Sequence, residues 1–179
     1  SGNTFNTKIS SNGINWFPST DNPFSIDGFC VAYGLNGSGL PQWIMGGIDV
    51  LSNTIKYSVD DGSTWIDSSN SFSGTYGTSN GINFGTDNSG NDLWVAVGGD
   101  GSAPDINTNT IKYSTDGTIW SNANNGFSSG IVGISYNPGY GNSVSWGKDA
   151  SDNNLWVTVG YDVSGNNIKY SNDGINWSN

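Results

Sequence analysis

The sequence predicts an all-β chain built as β-propeller blades of four antiparallel strands, about three and a half of them, and three observations carry that expectation. One short phrase ending in tryptophan is written four times: residues 10–16 (SSNGINW), 58–65 (SVDDGSTW), 114–120 (STDGTIW) and 171–177 (SNDGINW). The copies recur about every fifty residues, and self-similarity at such a period marks a repeat architecture in which each unit is one supersecondary element. Around each phrase lie short runs rich in β-branched and aromatic residues, bounded by Gly, Asn, Asp and Ser, which read as strands. No stretch sustains a 3.6-residue period, so almost no helix is expected. Four short strands per unit at this period describe a propeller blade.

With the strands of a blade labelled A to D from the centre outward, the elements follow in order. Strand A is expected at residues 31–34 (VAYG), 82–85 (INFG) and 144–147 (VSWG). Strand B follows at residues 42–46 (QWIMG), 93–98 (LWVAVG) and 155–160 (LWVTVG). Strand C is the run 54–58 (TIKYS), 110–114 (TIKYS) and 167–171 (NIKYS), with a degenerate copy at 7–10 (TKIS), so Lys8, Lys56, Lys112 and Lys169 hold one repeat position. The phrase itself is the turn from C to D. Its Ser and Asp side chains are suited to bond nearby backbone amides, and Gly62, Gly117 or Gly174 supplies a positive φ. The tryptophan beyond the turn is then placed to pack between neighbouring sheets, where such a ring buries roughly 150 to 250 Å². The chain reads as a single repeat domain, residues 1–179, with full blades at 17–67, 68–122 and 123–179. Residues 1–16 supply only strands C and D of an earlier blade.

These residues resemble the Asp box, or BNR repeat, found on the turn between the third and fourth strands of blades in sialidases, sortilin-type receptors and many bacterial and viral surface proteins. Ser58, Asp60, Gly62, Thr64 and Trp65 match its SxDxGxTW form position by position. The other copies are one residue shorter: Ser114, Asp116, Gly117 and Trp120; Ser171, Asp173, Gly174 and Trp177; and Ser10, Asn12, Gly13 and Trp16, with Asn12 in place of the aspartate. The resemblance implies a propeller whose boxes lie at the blade periphery and serve folding, so Asp60, Asp116 and Asp173 are expected to be structural.

Composition narrows the function. Among 179 residues there are 27 Gly but only 11% charged residues, and eight Trp, eight Tyr and seven Phe supply the core that aliphatic residues usually supply. The net charge is −10 and no Arg is present, whereas a nucleic-acid surface needs clustered Lys and Arg to neutralise phosphates. No nucleic-acid partner is therefore expected. No apolar run is long enough to cross a bilayer and no signal peptide is present, so no membrane insertion is expected. Cys30 stands alone and reads as a small apolar residue. The Asn-, Gly-, Ser- and Thr-rich composition fits an extracellular, cell-surface or virion-surface setting.

Catalytic chemistry finds few candidates. The sialidase site implied by the resemblance requires an arginine cluster, a glutamate and a tyrosine, and this chain has neither Arg nor Glu; His is absent as well. That removes bidentate carboxylate recognition, the commonest general base and most zinc sites. Asp49, Asp100 and Asp162, each just after strand B, are the best carboxylate candidates for glycoside hydrolysis, but their recurrence in every unit favours turn capping. No catalytic residue is assigned. Calcium takes six to eight oxygens, a ligand type available at Asp87 and Asp92 and again at Asp149 and Asp152; solvated turns are the preferred reading, and no cofactor is expected. Tyr33, Phe84 and Trp146 share one repeat position and Trp43, Trp94 and Trp156 another. They are read as core, with sugar stacking as the alternative.

The blade count leaves a ring unfinished. Both ends of the chain present outer strands, so they do not complete one blade together. The expectation is a non-enzymatic surface or structural interaction module whose propeller is completed by another protein chain or another copy. A glycan-binding lectin is the runner-up, and a fragment of a glycoside hydrolase with its catalytic residues elsewhere comes third. A large exposed aromatic face is expected at one or both ends.

Overall fold

The computed structural model describes residues 7–19, 21–74, 77–101, 109–132 and 135–179. The first six residues of the expected half blade lie outside them. The described chain is all-β, and no helix in it is long and apolar enough to cross a membrane. Blade 1 is a four-stranded antiparallel meander of β3 (Asp27–Leu35), β4 (Pro41–Ile48), β5 (Ile55–Ser58) and β6 (Ile66–Asp67). Blade 2 repeats it with β7 (Thr78–Thr86), β8 (Asp92–Gly99), β9 (Ile111–Ser114) and β10 (Ser121–Asn122). Blade 3 contains β13 (Tyr140–Lys148), β14 (Asn154–Tyr161) and β15 (Ile168–Ser171), and an antiparallel bridge from Tyr170 to Ser178 stands for the fourth strand. Before blade 1, β1 (Lys8–Ile9) pairs with β2 (Phe17–Pro18), the outer pair of a preceding blade.

Register repeats with the sequence. Tyr33 faces Trp43, Phe84 faces Trp94 and Trp146 faces Trp156 across the first two strands of each blade. Each first strand carries an irregularity at the same place: between Gly28 and Cys30, between Ser79 and Gly81, and between Gly141 and Ser143. Such bulges raise the local twist, so the recurring one gives every blade the same twist at the same point.

The blades stack face to face, with blade 2 in the middle. Side chains alternate sides along a strand, and β8 uses both sides. Trp94 and Ala96 pack with Ile44, Ile55, Phe72, Ile82 and Trp120 in a core shared with blade 1. Leu93, Val95 and Val97 pack with Val144, Trp156, Trp177 and Phe127 in a second core shared with blade 3. A strand buried on both faces is necessarily a continuous apolar run, which is how LWVAVG reads.

Close sheet approach depends on glycine. A Cβ on Gly34 would stand 2.3 Å from Cγ of Phe84, and one on Gly85 would stand 2.3 Å from Cγ of Trp146. Each aromatic ring of the next blade therefore seats on a bare backbone. The same position in blade 3, Gly147, has nothing within 4 Å, because among the described residues no further sheet covers that side.

The third blade departs from strict repetition. A short hairpin of β11 (Gly130–Val132) and β12 (Ser135–Asn137) is inserted before β13. The sequence reading placed no strands there.

Candidate functional site

The four tryptophan-ended turns share the Ser and Asp or Asn bonds to backbone amides, and in all but the Trp120 turn, whose indole N–H is buried without a partner among the described residues, the indole also donates to the turn glycine carbonyl. In the longest, Ser58 Oγ donates to Asp60 Oδ1 at 2.8 Å and accepts from the Gly62 amide at 2.9 Å. Asp60 Oδ1 accepts from the Thr64 amide at 2.9 Å, and the Trp65 indole N–H donates to the Gly62 carbonyl at 3.1 Å. In the shorter copies Asp116 accepts from the amides of Thr118 and Ile119, and Asp173 from those of Ile175 and Asn176. Asn12 makes the same pair of bonds to Ile14 and Asn15 through its amide oxygen, because the turn uses only a lone pair and not a charge. The Thr64 amide and hydroxyl hold the Asp60 carboxyl below the usual carboxylate range. For Asp116 and Asp173 partial burial pulls upward, and the hydrogen bonds outweigh it.

The fate of each turn tryptophan depends on its neighbour. Trp120 and Trp177 are 1% and 2% exposed, each wedged against the preceding blade, whereas Trp65 is half-buried and Trp16 is 57% exposed. Gly117 carries a φ of +73°, and a Cβ there would stand 1.9 Å from Gln42 Nε2 and 2.4 Å from Ile44 Cδ1. A Cβ on the corresponding Gly62 would meet Ile9 of β1 at 3.3 Å and the ring of Trp65 at 3.6 Å, since among the described residues no second strand of a preceding blade lies beneath it.

At the opposite end of the strands a lysine meets a ring in every blade, paired with an aspartate in blades 1 and 3 and donating to Asn122 in blade 2. Lys56 Nζ lies 3.2 Å from Asp49, also pairs with Asp67, and sits 5.6 Å from the Phe24 ring centroid. Lys169 lies 3.4 Å from Asp162 and 5.7 Å from Phe127. Lys112 sits 5.4 Å from Phe72; burial lowers its pKa and Asp100 partly restores it. The carboxylates also hold the entering segment: Asp49 accepts from Ser25 Oγ, Asp100 from the Ser73 amide and Asp162 from the Ser128 amide. Burial raises Asp162, but the hydroxyls and amides of Ser128 and Ser164 outweigh it and hold the carboxyl well below its ordinary range. Asp49, Asp100 and Asp162 are thus spread one to a blade, each committed to its own loop. The sequence reading found the lysines and aspartates but missed the phenylalanines. The signal was present as NPFS, NSFS and NGFS at residues 22–25, 70–73 and 125–128.

The oxygen-rich loops close on themselves. Asp87 caps the amides of Ser89 and Asn91, and Asp149 caps those of Ser151 and Asn153. Among the described residues no three His, Cys, Asp or Glu side chains gather as a metal site. Asp92 lies at the start of β8 and Asp152 adopts a φ of 64° in the turn. Cys30 packs against the shared core of blades 1 and 2, and burial pushes its thiol up to about 12.

The outer face of blade 1 is not covered by another sheet among the described residues. There Val31 and Tyr33 are 54% and 53% exposed, while their counterparts Ile82 and Phe84 pack against blade 1. Tyr33 and Trp43 form a tilted pair, ring centroids 4.9 Å apart, much like Phe84 and Trp94 at 4.7 Å. The Trp94 indole donates to the Leu35 carbonyl at 2.8 Å and the Trp156 indole to the Thr86 carbonyl at 3.1 Å, each reaching into the preceding blade. Trp43 has no such acceptor among the described residues. Two clefts flank the pair. One of about 400 Å³ lies between Lys8 of β1 and Phe24, Phe29, Val31 and Met45. The other, about 520 Å³, is lined by Asn36, Leu40, Trp43, Val59 and Asp61.

No family model matches the chain, and no curated protein matches it. Among solved structures, a fucose lectin from Kordia zhangzhouensis in complex with methyl-fucoside is similar at 15% identity and a TM-score of 0.49, over 83% of this chain and 96% of that one. A protein of unknown function from Dyadobacter fermentans is similar at 16% identity and a TM-score of 0.44, over 94% of this chain. The chain spans 56% of that protein's length.

Proposed function

We propose that this chain is a non-enzymatic, Asp-box-type propeller segment of an exterior surface, and that it binds another polypeptide through the open face of blade 1. The observation that carries this reading is the contrast between equivalent positions: Phe84 packs against blade 1 and Trp94 is fully buried, while Tyr33 is 53% exposed and Trp43 only half-buried. A contiguous apolar surface with a polar rim is the ordinary mark of a protein interaction site. The turn networks and the lysine clusters recur in blade after blade and are consumed by folding, whereas the rings of Tyr33 and Trp43 on this face are not covered by a neighbouring sheet among the described residues.

A second reading rests on the cleft lined by Asn36, Leu40, Trp43, Val59 and Asp61, where an indole lies beside amide and carboxylate groups. That composition suits a sugar ring, apolar on its face and hydroxylated at its edge.

The two readings separate experimentally. Selection of β-hairpin polypeptides from a displayed library against the full chain is expected to return binders that lose about tenfold or more in affinity, about 1.4 kcal/mol, on Trp43→Ala. Binders indifferent to Trp43→Ala and Tyr33→Ala overturn the polypeptide reading. A saturable response on a glycan array that disappears with Trp43→Ala favours the sugar reading instead.

A further inference from the structure

The shape of the open face defines what fits it. In an inner blade the third strand is hydrogen-bonded on both edges: β9 pairs with β8 on one side and β10 on the other. The equivalent β1 pairs only with β2, so among the described residues its other edge is free. The β1–β2 pair nevertheless sits where an outer strand pair belongs. Ser19 Oγ donates to the Gly62 carbonyl at 3.2 Å, as Ser68 Oγ donates to the Gly117 carbonyl at 3.3 Å. Among the described residues the outer half of a preceding blade is therefore in place, and no inner strands stand beside it.

Resting on the proposed interaction role of this face, we infer that its occupant is a two-stranded antiparallel β-hairpin, added to the free edge of β1, that completes a fourth blade and sets a carboxylate against Lys8. Four features of the face specify that partner. The free edge of β1 supplies unpaired backbone groups, and extended peptides bind such edges by adding a strand. The ring of Tyr33 requires a glycine opposite it, as Phe84 requires Gly34 and Trp146 requires Gly85. The Trp43 indole requires a carbonyl one residue beyond that glycine, the position of Leu35 relative to Gly34 and of Thr86 relative to Gly85. Lys8 holds the repeat position at which Lys56 and Lys169 each meet an aspartate that follows the second strand, and at which Lys112 has Asp100 as a longer-range counter-charge. Lys8 itself has no ion pair among the described residues, and its partner is accordingly acidic at the end of its second strand. By the register of blade 1, where Trp43 faces Ser58 and Met45 faces Lys56, the second strand of the hairpin pairs with Ser10, Ile9 and Lys8 in turn.

The inner strands of blade 1 themselves, residues 21–53, meet every one of these requirements and serve as the probe. An unlabelled peptide of that sequence is added to the isotopically labelled full chain, and in parallel the same segment, with its own tryptophan changed to phenylalanine, is fused ahead of Thr7. Trp43 indole exchange is expected to slow at least tenfold in both formats. The fusion is expected to melt several degrees above a fusion carrying the scrambled segment, and Lys8→Ala or loss of the donor aspartate should remove part of that gain. Exchange at Trp43 and a melting temperature both equal to those of the scrambled fusion overturn the hairpin. If the full chain then buries Trp43 by self-association, the interaction surface stands and its occupant is a second copy. If Trp43 is covered by neither, the interaction reading falls as well.

Discussion

At the scale of single residues, the turn aspartates act as lone-pair donors to amides, and Asn12 shows that charge is dispensable there. Asp116→Asn should therefore leave stability nearly unchanged, whereas Asp116→Ala strands the amides of Thr118 and Ile119 and should cost about 1–3 kcal/mol by urea denaturation. Charge matters more at Asp162, whose bonds from Ser128 and Ser164 hold its folded pKa below the unfolded value of about 3.9. A carboxyl depressed in the folded state contributes stability that is fully present above the unfolded pKa and is lost as pH falls through the folded one. The urea midpoint is thus expected to drop below about pH 4, less steeply in Asp162→Asn. An acid profile unchanged by that substitution would contradict this role.

At the scale of elements, the strands were legible as short runs of β-branched and aromatic residues bounded by Gly, Asn, Asp and Ser, while the burial of β8 on both faces needed the structure. The Phe24, Phe72 and Phe127 positions were not found, because they lie in the segments that enter each blade and carry no strand periodicity. The β11–β12 hairpin escaped for the opposite reason: it interrupts the repeat, so nothing elsewhere in the chain announces it. Solvent exposure of Trp16 and Trp65 was also hidden, since a turn tryptophan is buried by the sheet of the preceding blade and not by its own. The same dependence on neighbours governs the repeated glycine of the first strand. Gly85→Ala drives a methyl into the Trp146 ring and should cost about 1–3 kcal/mol as an overpacked contact. Gly147→Ala occupies open space and should be tolerated or mildly stabilising, because a strand gains when its glycine is replaced. Equal losses at the two positions, measured by thermal denaturation, would mean that the far side of blade 3 is covered.

At the scale of the whole molecule, the chain is a stack of three blades held by two shared cores, with an outer strand pair marking where a fourth begins. The lack of Arg, Glu and His is what led the sequence to be read as non-catalytic. The proposed interaction face needed the structure to be placed, because Tyr33 and Trp43 are written in the same positions as Phe84, which packs against blade 1, and the buried Trp94. The account turns on that difference in environment. Hydrogen exchange at the indole N–H groups of the monomeric chain tests it most directly. Trp94 and Trp156, bonded to carbonyls of a neighbouring blade, are predicted to exchange slowly and Trp43 orders of magnitude faster. Exchange at Trp43 as slow as at Trp94 in the monomer would contradict an open face on blade 1.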